Sequence, residues 1–105
     1  MKAKENNTSF LEVMGDTPYN KVIDFLIENE RESWTMGEIS ENSEIGYSTL
    51  KIIIPKMLSF GLIVIARTVG KSNLYMINKE NPIVQKLKLL HDTISVVRME
   101  SLLNE

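Results

Sequence analysis

Few side chains in this 105-residue sequence could perform bond-making chemistry. Cysteine is absent, which removes thiolate nucleophiles, thiolate metal sites and disulfides together. A single histidine, His91, makes a histidine-based zinc site or a catalytic triad hard to build. Asp16 and Asp24 are candidate carboxylates, but neither has a second group at motif spacing. Gly70-Lys71-Ser72 imitates the end of a phosphate-binding loop, whose first glycine should stand five positions earlier. Position 65 is isoleucine. The expectation is therefore a non-enzyme that needs no cofactor and no metal.

Charge offers a different chemistry. The formal net charge is only −2, yet the first 44 residues hold ten acids against four bases. Residues 45–79 then hold five bases (Lys51, Lys56, Arg67, Lys71 and Lys79) and no acid. An acid-free block inside an acidic chain suggests one positive face directed at a polyanion. Its value depends on where the fold puts those five residues.

The elements that must position them can be read from capping and periodicity. Thr17-Pro18 is an N-cap followed by proline at the first helical position, and Val22, Ile23, Leu26 and Ile27 follow at helical spacing. This predicts a helix from Pro18 to about Asn29, with Glu28–Glu32 solvated after it. Trp34 is expected to be packed. Thr35 with Glu38 forms a capping box for a very short helix, Met36 to about Asn42, with Ile39 inward. A turn, Ser43-Glu44-Ile45-Gly46, leads into a helix from Tyr47 to Phe60. Leu50, Ile53, Ile54, Met57 and Leu58 form its inner stripe, and Gly61 stands at the C′ position. Pro55 removes the amide hydrogen bond to the Lys51 carbonyl and should kink this helix or break it near Ile54.

The period then changes. Leu62–Thr68 and Leu74–Asn78 read as strands around the glycine-bearing loop Val69-Gly70-Lys71-Ser72, a β-hairpin. Asn81-Pro82 opens a long final helix, Ile83 to about Leu103. The boundaries are a polar tail over 1–15, a domain over 16–80 and a C-terminal helix over 81–105. With 43% hydrophobic and 25% charged residues, the composition suits one globular domain rather than a disordered chain. No apolar run approaches the ~18 residues of a membrane span, and Met1–Phe10 lacks the apolar centre of a signal peptide. A cytoplasmic protein without a membrane partner is expected.

Two helices joined by a tight turn, the first very short and the second followed by a hairpin, make a winged helix-turn-helix. The stretch MGEISENSEIGYSTLKIIIPKMLSFGLIVIARTVGKSNLYMIN, residues 36–78, resembles the small winged helix-turn-helix regulators of prokaryotes, especially archaeal ones. NPIVQKL at 81–87 adds weaker support. The likeness covers about two fifths of the chain and specifies a fold far better than a particular regulator. It implies an α+β, mostly α, fold with a two-stranded β-wing and a long C-terminal helix. The implied function is sequence-selective binding of double-stranded DNA, as a transcriptional regulator.

The residues suit that role. Tyr47, Ser48, Thr49, Lys51, Ile52 and Lys56 lie away from the inner stripe, with Pro55 beside them, where a recognition helix would enter the major groove. No arginine or asparagine stands there for bidentate base readout, so direct specificity should be modest. In the wing, Arg67 and Lys71 flank Gly70, with Ser72 and Asn73 adjacent, for phosphate or minor-groove contact. On the last helix, Ile83, Leu87, Leu90, Ile94 and Val97 form a heptad seam, and Leu89, Val96 and Leu103 a second stripe. One stripe docks the helix; the other is expected to meet the same helix of a second copy, giving a homodimer. Alternatively the first helix and the hairpin cover both. His91 and Asp92 are expected at the surface or interface. Two other functions stay open: a winged helix for protein–protein interaction, and a DNA-binding adaptor for plasmid or chromosome partitioning. No small-molecule effector site is marked.

Overall fold

A computed structural model of the chain describes residues 8–104. The fold is α+β, mostly helical, with one small antiparallel sheet. In chain order it comprises α1 (Ser9–Met14), α2 (Pro18–Glu28), β1 (Trp34–Thr35), α3 (Met36–Ser43), α4 (Tyr47–Ser59), β2 (Ile63–Val69), β3 (Ser72–Ile77) and α5 (Pro82–Leu103).

The first element corrects the expectation of a polar tail over 1–15. Thr8 accepts from the Leu11 amide to cap α1, and Phe10 and Leu11 are buried in the core. Six residues are too few for a helix to persist by propensity alone, so α1 owes its existence to this docking. Residues 1–7 of the expected tail lie outside the described residues.

Side-chain capping also marks the starts of α2, α3 and α5. The Asn20 amide donates to Thr17 Oγ1 at 3.2 Å, opening α2 just before Pro18. Thr35 and Glu38 form the reciprocal box, with bonds of 3.1 and 2.9 Å between each side chain and the other's amide. In the turn after α3 the left-handed residue is Glu44 (φ 58°), not Gly46, which instead takes the N-cap of α4 at φ −57°. Ser40 ties this turn down by donating to the Ile45 carbonyl at 2.5 Å.

Helix α4 runs unbroken through Pro55. The carbonyl that Pro55 orphans belongs to Lys51, and both residues lie on the exposed face, where water can satisfy it. The helix ends in a Schellman arrangement: the Gly61 amide donates to Leu58 O at 3.0 Å and the Leu62 amide to Met57 O at 2.9 Å. Gly61 is required twice over. Its φ is +72°, and a Cβ there would stand 2.9 Å from Asn81 Nδ2. That amide group donates to the Phe60 and Gly61 carbonyls, while the same side chain's oxygen caps α5. One asparagine thus joins the end of α4 to the start of α5.

The sheet has three strands rather than the expected two, in the order β1-β3-β2. The extra strand is the two-residue β1, with Trp34 opposite Tyr75 and Thr35 opposite Leu74. Nothing in two residues announces a strand; β3 recruits them because its other edge would be left unpaired. Trp34 is half-buried and packs on Phe25, ring centroids 4.9 Å apart. Leu26, Ile39, Leu50, Ile54, Met57 and Ile63 are fully buried and form the centre of the core, with Val84 and Ile94 closing it from α5.

Candidate nucleic-acid interface

The apolar stripe of α4 turns Leu50, Ile53, Ile54 and Met57 into the core, which leaves the remaining face to solvent. Tyr47, Ser48, Thr49, Lys51, Ile52, Pro55 and Lys56 are all exposed. Tyr47 and Ile52 are large apolar groups left 51% and 62% exposed, and with Pro55 they give this face an apolar centre. Lys51 Nζ lies 5.8 Å above the Tyr47 ring, one helical turn away, so the phenol steadies the ammonium. Ser48, Thr49 and Lys56 make no side-chain hydrogen bond or ion pair among the described residues. Gly46 supplies no side-chain cap, so the first-turn amides of α4 are not masked by a neighbouring side chain.

The hairpin follows directly. Gly70 and Lys71 form a two-residue turn between the paired Val69 and Ser72, and Gly70 has the positive φ (+61°) such a turn needs at its first position. Arg67, Gly70, Lys71 and Ser72 are exposed. Asn73 is half-buried, and its Oδ1 accepts from Thr68 Oγ1 across the strands at 2.9 Å. It therefore braces the hairpin as well as lying near its tip. A bulge at Ala66 separates the pair Ile65–Tyr75 from the pair Arg67–Leu74. Tyr75 and Leu74 are neighbours on opposite faces of β3, so the bulge puts Arg67 on the other face from Ile65. Simple alternation along the sequence would place the two together.

No acid lies between residues 45 and 79, so the cations of α4 and the hairpin have no local counter-charge in sequence. Arg67 and Lys71 make no ion pair among the described residues. The structure thus exposes ten of the eleven expected contact residues and half-buries Asn73.

The expected seam on α5 is split. Ile94 is buried and Leu87 half-buried against the chain's own core, which withdraws both from any partner. Ile83, Leu90 and Val97 remain exposed, as do Leu89, Val96, Met99, Leu102 and Leu103. The reason is that α5 needs an inner stripe of its own, and Val84, His91 and Ile94 supply it. Beside that stripe lies an apolar groove between α1 and α5, lined by Val13, Ile94 and Val97. Arg98 of α5 pairs with Glu12 of α1 at its margin.

His91 departs from the surface or interface placement expected of it, being buried within the single chain. It is 7% exposed, and its Nε2 lies 2.7 Å from Asp24 Oδ1. Thr8 donates its hydroxyl to Asp24 Oδ2 at 2.8 Å, and the Phe10 ring stacks on the imidazole at 5.1 Å. Glu28, one turn beyond Asp24 on α2, approaches the same nitrogen at 3.7 Å. Burial, and then the neighbouring Asp24 carboxylate, push the Glu28 carboxyl above its ordinary value, while His91 pulls it back. Sequence reading missed this constellation because 67 residues separate His91 from Asp24. The i, i+4 spacing of Asp24 and Glu28 on α2 is a local signal that could have pointed to it.

Among the described residues, no helix is long and apolar enough to cross a membrane. The chain matches no known protein-family model, and no curated protein is significantly similar to it.

Proposed function

We propose that this chain is a winged-helix protein that binds double-stranded DNA as a homodimer, with sequence selectivity, and acts as a transcriptional regulator. The observation that carries the reading is the outer face of α4: hydroxyls, two lysines and two apolar groups, solvent-exposed, in a block with no acids. Its place in the chain supports the same reading, after a short helix and a tight turn and before a hairpin with cations near its tip. In this arrangement α4 enters the major groove. Ser48, Thr49 and Lys51 reach base edges or phosphates, and Ile52 packs on a thymine methyl. Lys56 contacts the backbone. Arg67 and Lys71 follow the adjacent backbone or minor groove, with Gly70 allowing close approach.

The exposed residues of α5, from Ile83 through Leu90 to Val97 and from Leu89 through Val96 to Leu103, support pairing with a second copy. A two-fold dimer would present two α4 helices to half-sites about 34 Å apart, one turn of duplex. A labelled arbitrary duplex, titrated at low salt, tests the reading by fluorescence anisotropy. Binding followed by enrichment of a roughly palindromic site in selection supports it; a protein that stays free at low salt refutes it.

One observation favours a second reading. Tyr47, Ile52 and Pro55 give the same face an apolar centre suited to a protein partner. A winged helix used for protein–protein interaction would bind without the steep salt dependence of a phosphate contact. A partitioning adaptor would share the DNA chemistry and differ in the locus selected.

A further inference from the structure

We infer that Asp24, Glu28 and His91 form a binding site for one transition-metal dication of the zinc class, bridging α2 and α5. The donor set is one imidazole nitrogen and two carboxylates, and the three ligand atoms lie within 4.8 Å of one another. Tetrahedral zinc with bonds of about 2.0–2.2 Å places its donors about 3.3–3.5 Å apart. The present separations from His91 Nε2, 2.7 Å to Asp24 and 3.7 Å to Glu28, bracket that value. Without the ion, a hydrogen bond holds His91 and Asp24 together. Insertion needs them to part by about 0.6–0.8 Å and the Glu28 carboxylate to turn inward. Glu28 can do so, since its side chain is 50% exposed.

The surroundings hold two of the three ligands in place. Thr8 occupies Asp24 Oδ2, which leaves Oδ1 directed at the imidazole. Phe10 stacks on the ring and fixes its rotation. Two carboxylates face one imidazole, so acidic groups outnumber basic ones in the cluster. Of the two basic side chains lining the approach, Arg31 and Lys88, Lys88 is engaged by Glu30 at 3.5 Å and Asp92 at 4.0 Å. The approach is a cavity of about 350 Å³ that reaches Glu28 and His91, with Glu30, Glu32 and Asp92 also in its walls. It admits a cation and leaves room for water on the open side. The imidazole donor selects zinc, cobalt or nickel over magnesium or calcium, which prefer oxygen alone.

None of the three ligands lies in α4 or the hairpin, so the inference stands apart from the DNA reading. The test is titration of tag-free protein with Zn²⁺ alone, following the imidazole ¹⁵N resonances by NMR. His91 is the chain's single histidine, so the signal is unambiguous. One Zn²⁺ per chain is expected, with a shift of the His91 ring nitrogens and no comparable response to Mg²⁺. Glu28→Gln removes one ligand from a half-exposed position and leaves the buried pair intact, so it should fold and bind at least tenfold more weakly. His91→Gln, which lacks the NMR probe, should give no heat of Zn²⁺ binding by calorimetry where the parent does. An unmoved imidazole signal overturns the assignment, as does unchanged affinity in Glu28→Gln. Equal affinity for Mg²⁺ would also overturn it, showing only an acidic cavity.

Discussion

Replacing Arg67 and Lys71 together by alanine should change how DNA binding depends on salt, and the size of the change follows from the structure. Four cations per chain belong to the proposed contact surface: Lys51 and Lys56 on α4, Arg67 and Lys71 on the hairpin. A dimer placing all eight on phosphates would show a slope of log affinity against log salt of about −7. Between 50 and 200 mM salt, such a protein loses roughly 10⁴-fold in affinity. The double variant keeps half of these contacts, so its slope should fall to about −3.6 and its loss over the same range to roughly 10²-fold. Both side chains are exposed and make no ion pair among the described residues, so the urea midpoint should not move. Fluorescence anisotropy of both proteins on one labelled duplex, at four or five salt concentrations, supplies the slopes. A variant that folds normally and keeps a slope within about one unit of the parent's refutes the assignment of the hairpin to the DNA backbone.

Further substitutions test the fold that positions this surface and the proposed pairing of two copies. Gly61→Ala should cost roughly 2–3 kcal/mol in urea denaturation, combining the left-handed backbone with displacement of the Asn81 amide. Gly15→Ala, where a Cβ meets nothing within 4 Å, separates the two effects, because its φ of +110° is also unfavourable. Asp24→Ala leaves the buried His91 without its acceptor and should cost about 1–3 kcal/mol; a double-mutant cycle with His91→Ala that finds no coupling would show that the pair does not secure α5. Val97→Glu puts a charge on a residue 58% exposed in the single chain, so it should leave the fold intact. Light scattering after gel filtration should then find a monomer for the variant against the proposed dimer for the parent, and a dimer mass for both would place the self-association surface elsewhere.

Local chemistry in the sequence determined most of the element boundaries. The Thr17-Pro18 and Asn81-Pro82 signals start α2 and α5 where expected, the Thr35–Glu38 box starts α3, and Gly61 ends α4. Each is an interaction within four or five residues, so it acts before any tertiary contact forms. The same is true of the α4 stripe: with Leu50, Ile53 and Met57 turned inward, Ser48, Lys51 and Ile52 had to face out. The acid-free block was likewise plain from composition.

What the tertiary structure decided is what depends on partners distant in sequence. A six-residue α1 exists because Phe10 and Leu11 find the core, and two-residue β1 because β3 has a free edge. The bulge at Ala66, which turns Arg67 to the opposite face from Ile65, depends on pairing with β3 and leaves no mark on the alternation of β2. The heptad on α5 offered two faces of similar polarity, and periodicity cannot say which is inner. Burial of Val84, His91 and Ile94 chose between them. That choice drew the chain's single histidine to Asp24 and Glu28, a meeting set by the packing of α5 near α2 rather than by any spacing along the chain.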